Sequence, residues 1–293
     1  MMALFPPLAL TRPTYTLTVT VHLPQIAILG AGSMGGAILA GLLSPGVEAE
    51  GITVTNRTEA KAAAVRQPGV VSLATESDPD ANATALRGAR LVLVAVKPAM
   101  VPDLLTAIRD RLEPDALVVS VAAGVTVATM EAVVPQVVFR AMPNTPSIVR
   151  LGVTGVAAGT RASDADTALV RALFETVGAV IEVPESKIDA LSTISGSGPA
   201  YVFYLIEQLT ATARHLGFDE AQSRLMVEQT FRGTSELLAV SDVGPAELRR
   251  RVTSPNGTTQ RAVGELEKAE LTALFDRATA AALVRAAEMA RGE

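Results

Sequence analysis

"IAILGAGSMGGAILAGLL", residues 26–43, decides the architecture. A short apolar run leads into G-x-G-x-x-G, and an apolar helical stretch follows at once. Gly30 allows a tight turn, Gly32 lets a ligand approach bare backbone, and Gly35 lets the helix pack against the strand. With Ser33 and Met34 between the glycines, the first helical turn offers unpaired N–H groups at the positive end of its dipole, a seat for a pyrophosphate. Strand, glycine loop and helix in this order open a βαβ unit that binds a dinucleotide. A glycine-rich turn used only for close packing is the competing reading.

The same alternation runs through the first half of the chain. Short β-branched runs occur at 26–30, 52–55, 91–96, 117–122, 136–142, 152–159 and 179–183. Several are apolar throughout, as strands buried on both faces are. Helical patterns lie between them: Thr58 is placed to cap a helix that Pro68-Gly69 ends, and Ser163 precedes "DADTALVRALFETVG". This predicts right-handed crossovers and an α/β fold with a doubly wound, mostly parallel, Rossmann-like sheet.

Beyond Pro184 the strand signal stops, and the remaining stretches carry apolar residues three and four apart. Domains are expected at 25–184 and 185–293, the second all-helical, with Gly217 closing one helix and Asp219 capping the next. The broad Ala-, Leu- and Val-rich helix faces point to oligomerisation, with an ordinary bundle core as the competing reading. Thr14 to Leu23 alternate apolar and polar side chains, a pattern compatible with one short strand, but residues 1–24 read best as a loosely ordered extension.

Composition narrows the chemistry. Apolar residues make up 49% of the 293 and charged ones 19%, which suits a globular fold with a large core. A formal charge of −5 with no basic stripe argues against nucleic acid as a partner. There is no cysteine, which excludes disulfides and thiolate catalysis, and only His22 and His215, which disfavours zinc sites and Ser-His-Asp triads. No metal site is expected. No apolar run reaches the ~18–20 residues of a membrane span, and the amino terminus lacks the basic region of a signal peptide, so a cytoplasmic location is expected.

Strand ends refine the cofactor. The second strand finishes "TVTNRT", where an NAD site usually carries an acidic residue for the ribose 2′-hydroxyl. Asn56 and Arg57 instead suit a 2′-phosphate, so NADPH is favoured over NADH; a solvated Arg57 is the alternative. Lys97-Pro98 ends the central strand and either faces the cofactor or is an ordinary loop pair. "RAMPNTPSIV" fixes Asn144 between Pro143 and Pro146 at another strand end, as a cofactor wall or as a structural turn.

Two segments in the helical half resemble anion seats. "SGSGP" (195–199) places Pro199 at the first turn of a long helix, with Ser197 and Gly198 at its cap. "TSPNGTTQRA" (253–262) makes a turn at Pro255-Asn256-Gly257 before Thr258 and Thr259 begin a helix. Each offers free N–H groups to a small carboxylate, although ordinary capping explains either alone.

"GAGSMG", "VKP", "RAMPNTP", "ISGSGPAY" and "TSPNGTT", in this order and at these separations, resemble the pyrroline-5-carboxylate reductases over roughly residues 25 to 275. The resemblance implies an NADPH-binding domain followed by a helical dimerisation domain, with homodimers or decamers as the assembly. It implies reduction of 1-pyrroline-5-carboxylate, a cyclic imino acid, to L-proline. Carried over residue by residue, Gly30, Gly32, Ser33, Met34 and Gly35 hold the pyrophosphate, Asn56 and Arg57 the 2′-phosphate region, and Asn82 the adenine-side ribose. Ala95, Val96, Lys97 and Pro98 line the cofactor, with Ala122, Ala123 and Asn144 near the nicotinamide. Ser195, Gly196, Ser197, Gly198, Ser254, Asn256, Gly257, Thr258 and Thr259 hold the substrate, the Thr259 hydroxyl approaching the ring nitrogen as the catalytic group. The family usually has two glycines in the last loop where this chain has Asn256 and Gly257; Asn tolerates left-handed dihedrals, so the turn is expected to survive.

Other readings fit less well. A β-hydroxyacid dehydrogenase needs a helix-borne catalytic lysine, yet Lys187 is the only lysine between 184 and 267. No tyrosine begins the Tyr-x-x-x-Lys of a short-chain dehydrogenase. A catalytically silent NADP sensor remains as the non-enzymatic alternative.

Overall fold

The computed structural model describes residues 20–291. Residues 1–19, most of the expected extension, lie outside the described residues. Two compact units divide the rest: 20–199 with 282–291, and 200–281.

The first unit opens with β1 (Val21–Leu23), β2 (Ile26–Leu29), α1 (Ser33–Leu42), β3 (Val47–Ala49), β4 (Ile52–Asn56), α2 (Glu59–Ala64), β5 (Val70–Ala74) and α3 (Ala81–Leu86). There follow β6 (Leu91–Val94), α4 (Val101–Ile108), β7 (Leu117–Ser120), α5 (Val127–Glu131), β8 (Val137–Met142), β9 (Gly152–Ala158), α6 (Asp164–Glu175), β10 (Gly178–Glu182) and α7 (Ile188–Leu191). Eight strands form one sheet in the order β10-β9-β8-β7-β6-β2-β4-β5, parallel throughout except where β8 meets β9. The order reverses between β2 and β6, and this topological switch point is where a ligand crevice belongs.

Side chains alternate across the sheet and are buried on both sides. Ile26, Ile28, Leu91 and Leu93 face a core with Ile38 and Leu42 of α1 and Leu173 and Phe174 of α6. Ala27, Leu29, Val92 and Val94 face the opposite core with Leu86 of α3, Leu105 of α4 and Met130 of α5. Burial on both faces explains the uninterrupted apolar runs. The Ser163 cap forms as a full capping box, with its hydroxyl accepting from the Asp166 N–H and the Asp166 carboxylate accepting from the Ser163 N–H.

Three strands, β1, β3 and β5, lie outside the runs read from sequence. β5 follows Pro68-Gly69, where a stop alone was read. It is an edge strand with Val71 exposed, so its pattern is mixed and not that of a buried run. Val21–Leu23, within the stretch expected to be loose, is a strand that pairs in parallel with β3 as a separate small sheet.

Helices make up the second unit: α8 (Gly198–His215, which begins at the end of the first unit), α9 (Glu220–Ala239), α10 (Pro245–Arg251), α11 (Thr258–Glu267) and α12 (Leu271–Arg291, which runs on into 282–291). Gly217 ends α8 in a left-handed conformation, φ +95°. Asp219 caps α9 by accepting from the Gln222 N–H at 2.8 Å. Among the described residues of this unit only Ala213, Ser223 and Val227 are buried. Phe203, Tyr204 and Leu225 stand 61–68% exposed, more apolar surface than a single subunit leaves to water, and these are faces for a partner. No helix among the described residues is long and apolar enough to cross a membrane.

Within α10, Glu247 of the first turn accepts from both Arg250 and Arg251 of the last, and these hydrogen bonds pull its pKa down to about 2. A carboxylate with a lowered folded-state pKa stabilises the fold above its unfolded value and loses that contribution as pH falls through the folded one. The Glu247 carboxyl is therefore expected to remain ionised at about pH 3.5, where an ordinary glutamate is mostly protonated. A ¹³C carboxyl titration checks this, and a midpoint near 4.5 would contradict the geometry.

Candidate active site

The glycine loop lies where β2 meets β6. Gly30 has φ +95°, and a Cβ there would press on the Ala95 carbonyl and the Val96 side chain. A Cβ on Gly35 would run into the Gly30 carbonyl oxygen. Around Gly32 nothing lies within 4 Å of such an atom. Two glycines are thus required by packing, and the third keeps a surface open. Gly32 also stands at the N-cap of α1 with no side-chain cap, so the first amides of α1 are left for an anion. Ser33 is exposed and Met34 half-buried at that turn.

At the end of β4, Asn56 and Arg57 part company. Asn56 is buried, and its Oδ1 accepts the Ala31 N–H at 3.1 Å, so it braces the glycine loop from beneath. Arg57 is exposed and forms no ion pair among the described residues. The Glu59 N–H at the start of α2 donates to Glu76 at 2.5 Å. Asn82 uses its Oδ1 to accept from the Thr55 hydroxyl at 2.8 Å. That bond orients its NH2 group as a donor.

The β6 and β7 ends supply mostly backbone. Ala95 and Val96 are half-buried beside Gly30, while Lys97 and Pro98 are exposed. Ala122 packs in the core and Ala123 lies beside it, half-buried. Asn144 is buried with both ends of its carboxamide engaged: Nδ2 donates to the Ser195 carbonyl at 2.9 Å, and Oδ1 accepts from the Val153 N–H at 2.8 Å. Its side chain is a staple within the protein.

The long helix starts at Ser195–Gly198 as expected, with Gly198 its first residue, but helical chain runs up to it where the sequence reads as a free cap. Ser192–Gly196 is a π-turn that follows directly on α7, and the Ser197 N–H donates five residues back to the Ser192 carbonyl at 2.9 Å. Pro199 is the second residue of α8 and Gly198 the first. The two serines and two glycines therefore sit at a π-turn and bend within helical chain, a feature that recurs at functional sites. Ser195 donates its hydroxyl to the Leu191 carbonyl, and Gly196 packs against Ser192 and Met142.

The 253–259 loop belongs to the other unit and follows the expected geometry. Asn256 adopts φ +58°, the left-handed region. Its N–H donates to Gln260 Oε1 at 2.6 Å, and the Gly257 N–H donates to the Ser254 carbonyl at 3.0 Å. A Cβ on Gly257 would meet the Ser254 side chain. Thr258 and Thr259 are exposed at the first turn of α11, which has no side-chain cap.

The three glycines can be separated by experiment. Gly32→Ala is expected to leave the thermal midpoint unchanged yet weaken dinucleotide binding, since the added methyl enters open space where a phosphate belongs. Gly35→Ala is expected to lower stability by about 1–3 kcal/mol by overpacking. Calorimetric unfolding and dinucleotide titration of both variants check this.

Comparison with known proteins accords with these geometries. Residues 185–289 match the family model "Pyrroline-5-carboxylate reductase dimerisation", and residues 25–124 match "NADP oxidoreductase coenzyme F420-dependent". A pyrroline-5-carboxylate reductase of Pseudomonas aeruginosa is 36% identical over 270 residues, covering 91% of this chain and 97% of that protein. The solved structure of the Coxiella burnetii pyrroline-5-carboxylate reductase superposes with a TM-score of 0.83 at 36% identity, over 90% of this chain and 97% of its own. That of Plasmodium falciparum pyrroline carboxylate reductase with NADP bound gives 0.76 at 25% identity, over 91% and 98%. A glycine loop left open at the switch point, a helical second half with apolar faces unpartnered, and relatives matched over nearly their whole length lead to one assignment: this chain belongs to the pyrroline-5-carboxylate reductase family.

Proposed function

We propose that the protein reduces 1-pyrroline-5-carboxylate to L-proline with NADPH, NADH serving more weakly. One observation carries the reading: a single chain combines a dinucleotide loop open at Gly32 with a 254–259 loop whose Asn256 takes the left-handed turn and whose Thr258 and Thr259 start α11 uncapped. The residues present fit the cofactor, because packing forbids side chains at Gly30 and Gly35 while Gly32 stays bare. NADPH, when bound, supplies the hydride that adds to the C=N carbon.

The chain's own part is positioning. Gly32, Ser33, Met34 and Gly35 hold the pyrophosphate on the α1 amides, Arg57 pairs with the 2′-phosphate, and the Asn82 amide donates to the adenine-side ribose. Ala95, Val96, Lys97, Pro98 and Ala123 present backbone and stem atoms along the cofactor. The Ser254–Thr259 loop offers its amides and hydroxyls to the substrate carboxylate, and Ser195–Gly198 is assigned to substrate in its own unit. The Thr259 hydroxyl hydrogen-bonds the ring nitrogen, which becomes the amine as the hydride arrives. A protonated imine is already electrophilic, so fixed geometry supplies much of the acceleration without a strong protein acid. This accounts for a catalyst with no cysteine and two histidines. Domains at 25–184 for cofactor and 185–293 for substrate and dimerisation belong to the same proposal, as do a homodimer, its assembly into decamers, and a cytoplasmic location. The unpartnered apolar faces of the second unit support the dimer.

Thr259→Ala is expected to lower kcat about tenfold or more, the worth of one hydrogen bond made in the transition state, with NADPH affinity unchanged and Thr259→Ser partly restored. Equal rates would remove Thr259 from the mechanism. Arg57→Ala is expected to raise the KM for NADPH about tenfold through loss of a charge-assisted bond, and to leave the KM for NADH nearly constant. Steady-state rates with both cofactors decide this.

A further inference from the structure

We propose that Arg140 is a positioning residue for the substrate segment, acting through Asp189 and Glu185 on the π-turn at Ser192–Gly196. This inference rests on the proposed substrate role of Ser195–Gly198.

Arg140 is an unusual residue for its place. It lies in β8 between Phe139 and Ala141, both fully buried, and is itself 4% exposed. A guanidinium taken out of water must be paired to be tolerated. Its Nη2 meets Asp189 Oδ1 at 2.5 Å, and its Nη1 lies 3.6 Å from Glu185 Oε1. The two carboxylates are four residues apart on a helical segment, so both face the strand, and one planar fork spans them. Glu185 Oε1 also accepts the Val127 N–H at 2.6 Å, which ties the start of α5 to the same cluster.

The segment held this way leads straight into the π-turn. Leu191 fits against Gly155 of β9, where any side chain would collide with it. Four residues beyond Arg140, Asn144 grips the far side of the turn at the Ser195 carbonyl. The chain is therefore fixed at 185, 189, 191 and 195, before and within the turn. A π-turn inserts one residue into a helical register and is less favourable than uninterrupted α-helix, so it needs such outside support. Without the Arg140 clamp, the turn is free to relax toward α-helical register. Ser195–Gly198 would then shift by about one position along the helix surface.

Lysine at 140 keeps the charge and loses the fork, which makes it the informative variant. Asp189→Ala leaves the buried guanidinium with Glu185 alone, at 3.6 Å, whereas the conservative Asp189→Asn keeps an acceptor beside it. In the full-length enzyme, Arg140→Lys and Asp189→Ala are expected to speed amide exchange in peptides covering 192–198 about tenfold, the worth of one charge-assisted bond. They are expected to raise the KM for pyrroline-5-carboxylate by a similar factor, with kcat and the KM for NADPH within about twofold of wild type. Asp189→Asn, which still accepts from the guanidinium, should fall between. Unchanged exchange at 192–198 would overturn the clamp. Faster exchange with an unchanged KM for pyrroline-5-carboxylate would overturn the substrate reading of Ser195–Gly198, and with it the positioning role. Exchange raised evenly across the chain, with a lower thermal midpoint and intact kinetic constants, would reduce Arg140 to a structural brace and refute the proposal.

Discussion

The close approach of α1 to the end of β2 governs the first unit. Gly35 lies so near the Gly30 carbonyl that a side chain on Gly35 is excluded, and Ala95 and Val96 exclude one on Gly30. That contact brings the first amides of α1 to the edge of the sheet where the strand order reverses between β2 and β6. The dipole and unpaired N–H groups then act where a bound anion is wanted, with Gly32 leaving the approach clear. The two cores hold the arrangement: Ile38 and Leu42 pin α1 to one face of the sheet, and Leu86 and Leu105 anchor helices to the other.

A recurring device keeps the strand ends in place. Asn56 holds the glycine loop by the Ala31 N–H, Thr55 orients Asn82, and Asn144 joins the π-turn to the start of β9. Each such bond contributes only about 1 kcal/mol net, but removing one partner strands a buried polar group at about 1–3 kcal/mol. These side chains therefore rigidify the sheet edge from inside, and the surface above them is left to backbone amides and small residues. A site of this kind suits a reaction that asks mainly for alignment.

Much of this was legible in the sequence because it rests on local pattern. Apolar runs marked seven strands of the main sheet, and the Ser163 and Asp219 caps form as their spacing suggests. The glycine spacing located the loop, and the left-handed Asn256 followed from the tolerance of asparagine for that conformation. What escaped depends on partners distant in sequence. β5 carries the mixed pattern of a half-exposed edge. The π-turn at Ser192–Gly196 is invisible to helical periodicity, because the extra residue is accommodated by contacts from β8 and β9. Asn56 reads toward the 2′-phosphate and Asn144 as part of a cofactor wall or a structural turn; their bonds to Ala31, Val153 and Ser195 are not legible, because a carboxamide's partners are set by the backbone groups around it. Arg140, quoted within a motif, gave no hint that two carboxylates more than forty residues away would claim its guanidinium.

The central claim, hydride delivery to a cyclic imine by an aligned dinucleotide, is tested most directly by isotope transfer. The enzyme would be given pyrroline-5-carboxylate with NADPH deuterated at C4 on one face, and the product examined by NMR. The account predicts proline carrying one deuterium at the δ-carbon, the former C=N carbon, from one cofactor face only. Proline formed without that deuterium, or no proline while NADPH remains bound, would contradict it.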